Sequence, residues 1–245
     1  MKTSNSAFYG YQGRWAWVDL TTRKVRVTEA SADIYQKFIG GRGVQAALLW
    51  DKIQSSGPLS DPLSPENRII IGSSSLNDTP IPTAGRGSCS FISPLTYSPR
   101  QVTWLKEHQP VYGLLTHSSC GGHFPNRLKR AGFDQIIIDG RADRPVRLVV
   151  AEGEVEIIEA EDALFETVNG QPIVRPTSAI IAYLEKKYPG SSTLCLGPAG
   201  WNLVPYANLT ADYHRNFGRG GGGAVFGSKN LIAVTVRGKE PVRIF

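Results

Sequence analysis

The sequence predicts an α+β protein, mostly β-sheet with a few single helices, organised as two pseudo-repeated halves. Three observations carry this. Runs of strand-like residues are punctuated by single helices rather than alternating with them strictly. Glycine-arginine entrances recur at 40–43, 121–130 and 218–223, although no residue-level repeat joins them. Finally, 245 residues with 41% hydrophobic content can bury a substantial core, so 1–245 is read as one domain with its core over 9–238.

The elements follow in order. Trp15 to Leu20 and Lys24 to Thr28 read as strands joined by Thr21-Thr22-Arg23, a hairpin signal. Asp33 to Phe38 begins a helical pattern that Gly40-Gly41-Arg42-Gly43 interrupts, and Val44 to Ile53 resumes it with apolar residues three and four apart. After the turn-rich 55–67, Arg68 to Gly72 and Gly87 to Ile92 are apolar runs of strand length. Pro94, Pro99 and Pro110 predict a loop with local turns over 93–116. Cys120 to Gly132 reads as a second glycine-led helix, followed by strands at 135–139, 146–151 and 154–158. Ser178 to Tyr188 is an amphipathic helix stopped by Pro189-Gly190, and 193–196 and 231–236 are the last strands.

Composition narrows the partners. A balance of 27 Lys and Arg against 21 Asp and Glu, a net charge of +6, favours anionic ligands. No basic run or aromatic-basic ladder points to nucleic acid, and no apolar run reaches the roughly 18 residues of a membrane span. Cys89, Cys120 and Cys195 are odd in number and widely spaced, which argues against a disulfide framework and against iron-sulfur ligands within this chain. With a polar Met1 to Gly10 that lacks a secretory core, a soluble protein of the reducing cytoplasm is expected.

The most telling segment is 212–230, Asp-Tyr-His-Arg-Asn-Phe-Gly-Arg-Gly-Gly-Gly-Gly-Ala-Val-Phe-Gly-Ser-Lys-Asn. Uncovered backbone amides, two guanidinium forks and a following short helix suit the phosphates of a large anionic cofactor. Gly218, Gly220 and Gly223 match the dinucleotide pattern G-x-G-x-x-G, with Glu240 about 20 residues on. The context opposes it: polar Asp212 to Asn216 offers no apolar strand into the first glycine, and Gly227 leaves too little chain for a crossover helix. Gly222 to Lys229 nears a P-loop but ends Gly-Ser-Lys instead of Gly-Lys-Ser. A tight turn where backbones pack closely is the structural alternative.

Single residues divide similarly. Ser88 and Ser119 lack a nucleophile-elbow setting. Cys120 and His123 have the spacing of a metal pair, yet two ligands make no site, and a buried thiol and a helix-start histidine account for them better. His214, next to Arg215, could meet an anion or cap a turn. Arg86, in Thr-Ala-Gly-Arg-Gly-Ser, could reach a ligand lying across a sheet or brace its own turn; with Arg42, Arg215 and Arg219 it strengthens the phosphate reading.

The ordered motifs resemble the N-terminal domain of the tungsten-dependent aldehyde ferredoxin oxidoreductase family. They run from Gly13-Arg14 and Val18-Asp19-Leu20-Thr21-Thr22 through Phe38-Ile39-Gly40-Gly41-Arg42-Gly43 to Asp61-Pro62-Leu63-Ser64-Pro65-Glu66-Asn67. Gly85-Arg86, Ser93-Pro94-Leu95-Thr96, Gly121-Gly122-His123-Phe124 with Leu128-Lys129 and Ala131-Gly132-Phe133-Asp134, and Gly197-Pro198-Ala199-Gly200 follow. The last are Gly218-Arg219-Gly220-Gly221 and Gly227-Ser228-Lys229-Asn230-Leu231.

The resemblance implies a base of β-sheets carrying tungsten or molybdenum on the dithiolenes of two pterins, with magnesium linking the pterin phosphates. By motif, Arg86 resembles a phosphate-contacting arginine, and Arg215, Gly218 and Arg219 a second phosphate loop, with Gly121 and Gly122 beside them. Ser119 falls where the family has a magnesium-associated asparagine, and Asn216 where a small residue offers its carbonyl; a hydroxyl is still an oxygen donor for a hard cation. Other positions depart from the family. Ser74 to Asp78 replaces Gly-Pro-Leu-Thr-Gly, Trp201 stands where glutamate is common, and 96–120 is longer than usual.

The resemblance also implies a further portion, or a second subunit, with an iron-sulfur cluster passing electrons to a ferredoxin-like acceptor. Two expectations follow: the cofactor-holding base of an enzyme oxidising aldehydes to carboxylic acids, or a non-catalytic pterin-cofactor carrier or scaffold.

Overall fold

The computed structural model describes residues 9–95 and 113–244. The first sheet contains β1 (Arg14–Asp19), β2 (Lys24–Glu29), β3 (Ile69–Gly72), β4 (Gly87–Ile92), β5 (Leu115–Cys120) and β6 (Gln135–Asp139), in the order β2-β1-β6-β3-β4-β5. The second contains β7 (Val146–Ala151), β8 (Glu154–Glu159), β11 (Ser192–Cys195), β12 (Leu209–Ala211), β13 (Arg215–Phe217) and β14 (Leu231–Arg237), in the order β13-β12-β11-β14-β7-β8. β9 (Phe165–Val168) and β10 (Gln171–Val174) form a separate hairpin. The described helices are α1 (Ala32–Phe38), α2 (Gly41–Ser56), α3 (Phe124–Arg130), α4 (Thr177–Lys187), α5 (Pro198–Trp201) and α6 (Gly222–Ser228).

The two sheets repeat one plan. In each, a hairpin leads through a helix into three antiparallel strands, and a second helix returns the chain to a strand parallel to the first. β6 beside β1 is matched by β14 beside β7, β3-β4-β5 by β11-β12-β13, and α3 by α6. The expected pseudo-repeat is therefore present in topology. Of the three glycine-arginine entrances, those before α3 and α6 are equivalent; the one at 40–43 opens α2 and has no counterpart.

Period-two alternation explains how one sheet serves two layers. Ile69 and Ile71 join Cys89, Phe91, Ile136 and Ile138 in a core shared with Leu148, Leu194 and Val234 of the second sheet. Ile70 and Ile137 point the other way, onto Tyr35 of α1 and Val44, Leu48 and Leu49 of α2. The 3.6-residue repeat supplies that apolar stripe. The β1–β2 turn closes because Asp19 Oδ1 accepts from the amides of Thr21 (2.9 Å) and Thr22 (3.2 Å).

Several expectations need correction. Of the anticipated loop over 93–116, residues 96–112, including Thr96 of the family motif, lie outside the described residues, and 115–120 is strand β5. The second helix starts at Phe124, because Cys120 ends β5 and Gly122 turns at φ 94°. β9, β10, β12 and β13 were not expected: at three or four residues they carry too little pattern, and their neighbours' ladders define them.

Candidate functional site at the junction of the two sheets

β5 and β13 are equivalent edge strands of the two halves, and they meet. The contact is reciprocal. A Cβ at Gly220 would stand 2.6 Å from Thr116 Cγ2 on β5, and one at Gly122 would stand 2.8 Å from Arg215 Cγ on β13. Both glycines have positive φ, 80° and 94°, so close approach and backbone geometry each require glycine. The Arg219 amide donates to Ser118 Oγ (3.1 Å), and Ser93 Oγ donates to the Gly220 carbonyl (2.8 Å).

Asp212 fastens the halves together. Its Oδ2 accepts from the amides of His123 (2.7 Å) and Phe124 (3.1 Å), at the start of α3, and its Oδ1 accepts from Ser192 Oγ. Two of the first donors at the start of α3 are thus already taken by a carboxylate. Asp212 and Tyr213 both adopt positive φ, 48° and 62°, an unusual backbone that the staple holds in place.

Around this junction the glycines sort into two kinds. Gly85, Gly121 and Gly218 have no positive φ, and a Cβ would find nothing within 4 Å at Gly121 and Gly218 and only the Gly122 carbonyl at 3.9 Å from Gly85. Neither conformation nor packing demands glycine at these three positions. Their open space is what a ligand resting on the backbone would use.

Arg86, Arg215 and Arg219 border this space, and each is exposed with its guanidinium unpaired to any carboxylate among the described residues. The Cys120 thiol is pushed up to about 12 by burial and by Asp212, with Arg215 and Arg86 opposing. Both guanidiniums therefore sit beside the same end of β5, one from each half.

Arg42 is separate. Across the β4–β5 register, Ser88 faces Ser119 and Ser90 faces His117, on the side where Gln45 of α2 accepts from Ser90 Oγ (2.7 Å). Thr116, Ser118 and Cys120 face the second sheet instead. Burial and then the charge of Arg42 hold His117 below the usual histidine value, which places Arg42 on the α2 side of β5.

Ser119 and Asn216 occupy matching penultimate positions of β5 and β13. Their side chains are engaged: Ser119 Oγ lies 3.0 Å from His117 Nε2, and Asn216 Oδ1 accepts from Thr210 Oγ1 (2.8 Å). No group of three or more His, Cys, Asp or Glu suited to a metal occurs among the described residues. Cys120 donates to the Gly121 carbonyl and is buried, and all three cysteines are buried and free. His214 is exposed and lies beside the Tyr213 ring, 6.1 Å between centroids.

A short strand of mostly polar, exposed residues, β13, enters the first glycine of the G-x-G-x-x-G pattern, in place of the apolar strand the pattern needs. β13 also runs opposite to β14, because three antiparallel pairings separate them, whereas a dinucleotide fold needs parallel strands there. Sequence reasoning missed Asp212, whose acceptor role joins residues 88 and 89 positions apart and leaves no local signal. It also missed the distinction among glycines, since φ and neighbours are tertiary facts.

Comparison with known proteins converges on one family. The family model "Aldehyde ferredoxin oxidoreductase, N-terminal domain" matches residues 15–238. The tungsten-containing aldehyde ferredoxin oxidoreductases of Pyrococcus furiosus and Thermococcus kodakarensis are 37% and 36% identical over 239 residues, covering 96% of this chain. The chain spans only 35% of the length of these relatives. The WOR-like subunit of an aliphatic sulfonate oxidoreductase of Pyrococcus furiosus is 32% identical over 247 residues. Among solved structures, the active-site complex BamBC of benzoyl coenzyme A reductase with 1,5-dienoyl-CoA superposes with a TM-score of 0.76 at 30% identity, covering 96% of this chain and 32% of that one. No described helix is long and apolar enough to cross a membrane.

Proposed function

The chain belongs to the aldehyde ferredoxin oxidoreductase family and corresponds to its N-terminal domain; from this we propose that it is the base holding a bis-pterin tungsten or molybdenum cofactor in an enzyme oxidising an aldehyde to a carboxylic acid. One observation carries the reading: unpaired arginines and sterically unneeded glycines from both halves converge on one junction. When bound, the metal-dithiolene group would supply the two-electron redox chemistry.

The residues present fit the phosphates of such a cofactor. Arg86, Arg215 and Arg219 would grip phosphate oxygens through charge-assisted hydrogen bonds, while Gly121 and Gly218, with Gly85, let the ligand lie against the backbone. Gly122 contributes indirectly, by admitting Arg215 close to the loop. The α3 amides, capped by Asp212, would leave the phosphate to the guanidiniums. A magnesium ion near Ser119 and Asn216 would draw on phosphate oxygens and main-chain carbonyls, because both side-chain oxygens are hydrogen-bonded already.

Electrons would leave through an iron-sulfur cluster on a further portion or partner subunit, toward a ferredoxin-like acceptor. The span of 35% of the relatives' length and the three dispersed, buried cysteines favour that division of labour. We place the protein in the cytoplasm, where its thiols stay reduced. The same short span also keeps open a second reading, a non-catalytic cofactor carrier or scaffold.

Metal analysis and pterin fluorescence on protein purified after anaerobic expression test the assignment. Arg86→Ala and Arg219→Ala are each expected to lower cofactor occupancy at least about fivefold, the loss of one or more kcal/mol expected for a charged hydrogen bond. Full retention in both variants would remove the phosphate assignment. Stable occupancy without aldehyde-dependent dye reduction favours the carrier, and absence of both metal and pterin counts against either reading.

A further inference from the structure

We propose a second oxyanion subsite at the start of α2, built from the Gly41 and Arg42 amides, the Arg42 guanidinium and the Ser88 hydroxyl. It lies on the side of β5 opposite the sheet junction and does not depend on the cofactor assignment.

Four observations place it. α2 is 16 residues long, has no side-chain cap and carries no acid in its first turn, so the positive end of its dipole is uncompensated. The Gly41 and Arg42 amides have no acceptor among the described residues; only Gly43 turns back, to the Gly40 carbonyl (3.1 Å). Arg42 is exposed and makes no ion pair among the described residues, although its charge reaches His117.

The fourth observation points to a ligand. Ser88 is 6% exposed and its Oγ has no hydrogen-bond partner among the described residues, yet it would stand 3.5 Å from a Cβ at Gly41, the first residue of α2. A buried hydroxyl without a partner is costly, and alanine would fill the same space without that cost. An oxyanion held by the first turn and Arg42 gives this hydroxyl an acceptor. Free amides, a guanidinium and a hydroxyl together suit a phosphate or carboxylate group.

Amide chemical shifts of the full chain, titrated separately with inorganic phosphate and with acetate, test the site. Saturable shifts at Gly41 and Arg42 are expected with at least one probe; saturation by phosphate alone identifies a phosphate ligand, by acetate alone a carboxylate. Arg42→Gln should weaken that binding at least tenfold. Ser88→Ala should weaken it about threefold or more while its thermal midpoint stays at or above wild type. Arg86→Gln should leave it within twofold, which separates this subsite from the junction. Shifts that never saturate with either probe, unchanged affinity in both Arg42→Gln and Ser88→Ala, or equal loss in Arg86→Gln would each overturn the proposal.

Discussion

At Gly121 and Gly218 an alanine methyl would meet nothing, whereas at Gly220 it would drive into Thr116 on a backbone that disfavours side chains. The same residue type thus meets two different environments, open at Gly218 and crowded two positions on at Gly220. Gly121→Ala and Gly218→Ala should leave unfolding free energy unchanged or raise it by up to about 1 kcal/mol, through a less flexible unfolded chain. Both should nevertheless lower cofactor occupancy. Gly220→Ala should cost about 2–4 kcal/mol from strain and overpacking together. Urea denaturation beside metal analysis checks all three; destabilisation by Gly121→Ala with occupancy unchanged would show that this glycine is structural.

Between elements, a buried cation organises the second half. Arg147 on β7 is fully buried, and its guanidinium donates to Glu161 Oε2 (2.7 Å) and to Tyr188 Oη (3.0 Å), next to the end of α4. Burial raises the Glu161 pKa, but hydrogen bonds from Arg147 and Lys187 outweigh it and hold the carboxyl at about 2. Above its ordinary value of 4.5 the carboxylate is ionised in both folded and unfolded chains, and its stabilisation is complete. As pH falls from 4.5 toward 2, the unfolded chain takes up a proton that the folded one lacks, and stability drops. Glu161→Gln should cost about 3 kcal/mol at pH 7, since it strands a buried guanidinium. The gap to wild type should narrow steadily as the pH approaches 2 in denaturation series; a pH-independent gap would contradict the linkage. Trp201 acts at the same scale: its Nε1 donates to the Pro172 carbonyl (3.2 Å) and its ring meets Phe165 edge-on (5.6 Å), pinning the β9–β10 hairpin.

At the scale of the whole molecule, the two repeated halves are joined by a common core and by Asp212. Because Ile71, Phe91 and Ile138 pack in one cluster with Leu148, Leu194 and Val234, separating the halves would expose both inner faces to water. We propose that the chain unfolds as one unit. Tryptophan fluorescence and far-ultraviolet circular dichroism should report coincident urea transitions, and residues 9–140 expressed alone should fail to fold; two separated transitions would show independent halves. Much of this was legible beforehand. The α+β class, the long helices and the apolar strands follow from periodicity, and the duplicated plan was signalled by its glycine-arginine loops. The short strands β12 and β13 were not legible, since residues such as Arg215 and Asn216 become strand only by pairing with Leu209 to Ala211.

By itself the sequence determined the family and the order of motifs, because residue identity and local spacing write these directly. Only the tertiary structure decided which arginines border one junction, which glycines are open, and that Asp212 caps the start of α3. Those properties depend on pairing across 88 or more positions. Local physical chemistry cannot specify such contacts until β5 and β13 lie side by side.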